Sequence, residues 1–110
     1  MTWKLLTNEQ ELEEIRIRST TNPQLIFKHS TRCSISSVAK SRLERGNAPE
    51  GIDFYYLDLL QYRPLSNKIE SDYSVCHESP QVLLISNGEC IYDESHNGIS
   101  MDEIHKMAFR

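Results

Sequence analysis

Short apolar runs alternate with stretches of helical spacing along this chain, and that alternation restricts it to a mixed sheet with helices packed on its faces. The runs at 24–28, 52–60 and 81–86 are too short for helices and too apolar for surface strands, so they read as buried strands. Residues 3–5 precede them as a short edge strand. Thr7-Asn8-Glu9-Gln10 has the capping-box pattern, and Leu12, Ile15 and Ile17 follow among charged residues, which predicts a helix over about 8–18. Ile35, Val38, Ala39 and Leu43 recur at helical spacing over 34–45, with Gly46-Asn47 as the stop. Pro64 opens a third helix with Leu65, Ile69 and Tyr73 on one face. Asn87-Gly88 joins 81–86 to 89–93 as an antiparallel hairpin. Ser100-Met101-Asp102-Glu103, a second capping box, starts a last helix carrying Ile104, Met107 and Ala108. The order is β-α-β-α-β-α-β-β-α, an α/β chain with a mixed sheet flanked by helices, and 110 residues suffice for one domain over 1–110.

Composition removes several function classes. Twelve basic and sixteen acidic residues leave a net charge of -4 with no basic stripe, so a nucleic-acid partner is not expected. No stretch approaches the ~20 apolar residues of a membrane span, and Met1-Thr2-Trp3-Lys4 lacks the start of a secretory signal, so a cytoplasmic location off the membrane is expected. Cys33, Cys76 and Cys90 form an odd set without Cys-x-x-Cys or Cys/His spacing, which argues against a disulfide framework and against zinc or another metal. His29, His77, His96 and His105 read as ordinary surface or loop histidines.

The chemistry points to Cys33. It follows a strand and a short loop and begins a helix, where the unpaired N–H groups of the first turn and the helix dipole favour a thiolate. The dipole supplies only roughly 0.3 to 2 kcal/mol, so further donors are needed. Ser36, one turn on, offers its hydroxyl or N–H to the sulfur, and Arg32 adds a positive charge. Ser79-Pro80 stands directly before a strand, where proline marks a tight turn, although proline statistics alone leave the bond trans. Cys90, alternating with Ile91, faces the core or a helix as a small hydrophobe.

Phe27-Lys28-His29-Ser30-Thr31-Arg32-Cys33-Ser34-Ile35-Ser36, followed by Ser66-Asn67, His77-Glu78-Ser79-Pro80-Gln81 and Ser95-His96, closely resembles the YtxJ family of bacilliredoxin-like monothiol proteins over nearly the whole chain. The resemblance implies a thioredoxin-like fold and removal of bacillithiol from mixed disulfides on S-thiolated cytoplasmic proteins. No bound cofactor is expected; bacillithiol is the co-substrate this implies, with a low-molecular-weight thiol or a partner reductase expected to regenerate the protein. It further implies Cys33 as the nucleophile assisted by Ser36 and Arg32, Pro80 as a cis proline facing it, and substrate contacts from Thr31, Ser34, Ser79 and Pro80. The family commonly has proline directly after the cysteine, where this chain has Ser34, and usually lacks a cysteine at the position of Cys76, for which a packing or partly exposed role is expected.

Other cysteine chemistries fit less well. A peroxiredoxin-type site wants its threonine three residues before the cysteine and a proline upstream, whereas Thr31 is two residues away. A cysteine phosphatase or arsenate reductase wants an arginine closing an anion loop, where Ala39-Lys40 stand instead. The different-class reading is a redox-inactive thioredoxin-like interaction or stress-response module that uses the surface around Pro80 to hold a peptide strand.

Overall fold

The structure, a computed structural model, describes residues 2–30 and 32–109. Its elements are β1 (Lys4–Leu5), α1 (Glu9–Arg18), β2 (Gln24–His29), α2 (Ser34–Arg45), β3 (Asp53–Asp58), α3 (Arg63–Tyr73), β4 (Gln81–Ser86), β5 (Glu89–Ser95), a 3-10 turn at His96–Gly98, and α4 (Met101–Ala108). The α/β class and the chain order are those read from the sequence. One five-stranded sheet runs β1-β3-β2-β4-β5. β1, β3 and β2 are parallel, while β4 lies antiparallel to β2 and β5 antiparallel to β4.

β2 is central, and all six of its residues are buried. Its period of two sends Leu25 and Phe27 to one face, against Ala39 and Leu43 of α2 and Met101 and Ile104 of α4. Ile26 goes to the other face, with Leu12 and Ile15 of α1 and Leu65 and Ile69 of α3. Each fully buried side chain of this kind contributes about 1.5–3 kcal/mol of transfer free energy. Lys28 and His29 continue the alternation at the end of β2, so the α3 side receives a lysine and the α2 side a histidine.

Several local expectations are corrected. The first helix is capped by Asn8, not Thr7: the Asn8 side chain accepts from Glu11 N at 2.9 Å, and Glu11 accepts from Thr7 N at 3.2 Å and Thr7 Oγ1 at 2.7 Å. Asparagine is the better cap, and the glutamate three residues on reaches back to Thr7 and to the Asn8 side-chain amide instead of to the Asn8 N–H of a capping box. Ile17 is exposed, as are Ile35 and Val38 at 57% and 58%, because α2 meets the sheet through Ser36, Ala39 and Leu43. Gly46 ends α2 at φ -75, not in the left-handed region; a Cβ there would lie 2.8 Å from Met101 Cβ, so close approach of α4 requires the glycine. Asn87 and Gly88 do take positive φ (52 and 77), the primed turn a two-residue hairpin needs. β5 runs two residues past the expected end, and a register shift opposite Leu84 and Ile85 turns Cys90 to the α3 face and Tyr92 to the α2 face.

Candidate active site at the end of β2

His29 closes β2, its carbonyl accepting from Leu59 N at 3.0 Å, and the chain then turns so that Cys33 N donates to Ser30 O at 3.0 Å. Cys33 is the N-cap of α2: its backbone is extended (φ -101, ψ 121), and its carbonyl accepts the first helical bond, from Ser37 N at 3.0 Å. The thiol is half-buried and accepts no capping hydrogen bond. The N–H groups of Ser34, Ile35 and Ser36 have no acceptor within the helix and gather at the end Cys33 occupies, which is the physical basis for favouring negative charge there. Arg32 and Ser34 flank it, both exposed. Thr31 lies outside the described residues.

Ser34 holds the first helical position, and among the described residues its N–H donates no hydrogen bond. Cys33 already has the extended backbone that a following proline demands. Ser34→Pro is therefore expected to raise stability by about 0.4–1 kcal/mol through the unfolded chain, with thiol reactivity retained. Urea unfolding alongside Cys33 alkylation checks this; a loss of stability would show that the turn needs the Ser34 N–H.

Ser36 is fully buried, and its hydroxyl does not serve Cys33. It stands 2.5 Å from His29 Nδ1 and accepts from Ser30 N at 3.0 Å. Having accepted from Ser30 N, the hydroxyl keeps one hydrogen and one lone pair for Nδ1, so the direction of this bond follows the ring's tautomer. Burial first, then the Lys40 charge, pushes His29 below the usual histidine range, with Asp58 and Glu44 opposing, so the ring is neutral near pH 7. It stacks on Phe27 at 5.6 Å and lies tilted 5.3 Å from Tyr56. His29 is thus a buried core histidine, a correction to its reading as a surface residue. The Ser36 side chain ties strand to helix through His29 and Ser30, which leaves only its N–H among the first-turn groups at the Cys33 end.

The second expected motif meets the same end of the sheet. Gln81 pairs with Lys28, which brings Pro80 to the level of His29, four residues before Cys33. The Ser79–Pro80 bond is cis, as the family resemblance implied and proline statistics did not. Pro80 O accepts from His96 N at 3.1 Å, and Arg42 of α2 reaches His96 O at 3.1 Å and Ile99 O at 2.9 Å. This chain of bonds links α2, the 3-10 turn and Pro80. Beside it the exposed Ile35 and Val38, with Ser34, Arg42, His96 and Asn97, line a shallow hollow of about 160 Å³ next to the cysteine. Arg42 was not singled out in the sequence, where an arginine in a charged helix carries no signal of a carbonyl partner more than fifty residues away.

A buried polar cluster on the α3 face was also missed. Lys28 is fully buried and its Nζ donates to Ser66 O at 3.2 Å and lies 3.3 Å from His77 Nδ1. Ser66 Oγ is 3.1 Å from the same nitrogen, Arg63 Nη1 is 3.4 Å from His77 Nε2, and His77 N donates to Glu70 Oε2 at 2.6 Å. Burial pushes Lys28 down to about 8. The available signal was a lysine closing an otherwise apolar run.

The other cysteines are placed apart in character. Cys76 is exposed. Cys90 packs on the α3 face as expected, donates from Sγ to Tyr92 O at 3.3 Å, and is pushed up to about 11 by burial. Among the described residues no three His, Cys, Asp or Glu side chains form a group able to hold a metal ion, and no helix is long and apolar enough to cross a membrane.

A family model for the monothiol bacilliredoxin BrxC matches residues 4–104. Among solved structures, the chain is similar to a candidate oxidoreductase with a thioredoxin fold at 29% identity and a TM-score of 0.77, over 94% of this chain and 90% of that one. It is also similar to thioredoxin from Fasciola hepatica, at 14% identity and a TM-score of 0.73 over 96% and 95% of the two chains. The oxidised thioredoxin from Plasmodium falciparum gives the same identity and score over 97% and 99%. At that identity the two thioredoxins speak for the fold alone, and the fold is the thioredoxin fold.

Proposed function

The chain belongs to the monothiol bacilliredoxin family, a family of thiol–disulfide oxidoreductases, and from that premise we propose that Cys33 takes bacillithiol off cytoplasmic proteins that carry it in mixed disulfide. The observation that carries the reading is the placement of a lone thiol at the N-cap of α2 with Ser36, not a second cysteine, one turn on. The Cys33 thiolate attacks the bacillithiol sulfur, a new Cys33–bacillithiol disulfide forms, and the substrate protein leaves as a thiolate that takes up a proton. A second thiolate, from a low-molecular-weight thiol or a partner reductase, then attacks that disulfide and restores Cys33.

In this reading the first-turn N–H groups, Ser36 N–H among them, and the Arg32 guanidinium favour the attacking anion. Thr31, Ser34, Ser79 and Pro80 border the substrate. No bound cofactor takes part. Intact-mass spectrometry of the protein incubated with a bacillithiol-loaded protein tests the proposal. The expected result is one bacillithiol gained at Cys33 and lost from the substrate. Retention of the adduct on the substrate would overturn it and favour the redox-inactive interaction module.

A further inference from the structure

An ammonium group inside a sheet-and-helix interface is costly unless its N–H groups find acceptors, and those of Lys28 find them in Ser66 of α3 and His77 of the loop that precedes β4. The lysine therefore joins three separate pieces of chain. The loop it reaches is fastened along its length: Val75 N donates to Glu70 O, Cys76 O accepts from Gln81 Nε2, His77 N donates to Glu70 Oε2, Glu78 N donates to Gln81 Oε1, and Pro80 O accepts from His96 N. Between Val75 and Pro80, Ser79 is the one residue that makes no hydrogen bond among the described residues, and its hydroxyl is buried as well. The loop is thus held at every position except the one next to Pro80, which the Lys28–Gln81 pairing brings to the end of β2 from which the Cys33 turn departs.

We propose that Lys28, Ser66 and His77 are positioning residues for protein substrates: they clamp the 75–80 loop to α3 so that the unpaired backbone of Ser79 stands fixed beside the Cys33 turn, where an extended segment of the substrate docks. They do not touch the exchanging sulfur atoms. The inference rests on the reading of Cys33 as the exchanging thiol.

Two substrates separate the two ideas. The chromogenic disulfide of thionitrobenzoate attacks no docking surface and reports Cys33 alone, whereas a protein whose single cysteine carries bacillithiol needs the loop. His77→Leu is expected to slow exchange with the protein substrate by about tenfold, appearing in KM and not in kcat, with the small disulfide reacting as in the wild type. His77→Gln, whose amide oxygen accepts from Lys28, is expected to restore most of the loss. Lys28→Met carries the same comparison should His77→Leu fail to fold. Unchanged rates with both substrates, an equal fall with both, or a failure of His77→Gln to rescue would overturn the positioning role. If wild-type Cys33 does not react even with the small disulfide, the exchange reading itself falls and takes this inference with it.

Discussion

Cys33→Ser is expected to abolish transfer of the small thiol altogether, while Cys76→Ser and Cys90→Ser leave it nearly intact. The hydroxyl of serine is not ionised at neutral pH and forms no disulfide, so the first step has no nucleophile. Cys90 is no substitute: its thiol is buried on the α3 face, donates to the Tyr92 carbonyl, and at about 11 carries almost no thiolate near pH 7. Cys76 is exposed, and its loop leads to Pro80 at the Cys33 end of the sheet, which makes it the one internal competitor. With Ser36 where a second cysteine would close a local disulfide, the adduct should stay on Cys33 until an external thiol removes it. Mass spectrometry of the three variants after a single turnover measures this. Accumulation of the Cys33 adduct in Cys76→Ser, with turnover blocked, would show that Cys76 resolves it and that the monothiol mechanism is wrong.

What the sequence made legible was whatever depends on neighbours in the chain. The strand runs, the Asn87-Gly88 hairpin and the extent of α2 follow from local periodicity and turn chemistry; the hairpin, α2 and β4 stand where the pattern put them, while β3 is shorter than its apolar run (Asp53–Asp58 within 52–60) and β5 longer. The position of Cys33 at a helix start was equally local. Misreadings arise where a distant partner decides. Ile35 and Val38 match the helical period as well as Ala39 and Leu43 do, and only the packing of α2 against β2 selects the stripe that includes the polar Ser36. The Ser36 hydroxyl was legible as a donor near Cys33, but its capture by His29 required knowing that β2 ends with that ring turned toward α2. The cis Ser79–Pro80 bond came from family resemblance, since statistics on proline point the other way. Lys28, a strand-ending lysine by pattern, met its partners only when α3 and the 75–80 loop closed over it.

That burial carries a second large expectation, in the dependence of stability on pH. Lys28 is held at about 8 in the folded chain against an ordinary value of 10.5, with desolvation the main cause, the Arg63 charge adding to it and Glu70 opposing it. Between those two values the unfolded chain holds a proton that the folded chain has released. Stability therefore rises with pH from about 8 toward 10.5, by at most about 3 kcal/mol, and by less to the extent that solvent at the exposed Arg63 edge screens the charge. Cys90 and Tyr73 act in the opposite sense: held at about 11 and about 12 against 9.0 and 10.0, they keep their protons longer in the folded chain, so their contributions are lost as pH rises through those ranges. The wild type alone shows the Lys28 rise cleanly only between about pH 8 and 9. Subtracting the unfolding free energy of Lys28→Met at each pH removes the thiol and phenol contributions, which both proteins share, and the difference is expected to climb steadily in favour of the wild type across the whole range. Urea unfolding of the pair from neutral to alkaline pH measures it. A difference that stays level would mean that Lys28 keeps its proton in the folded protein, and the neutral amine would have to be abandoned.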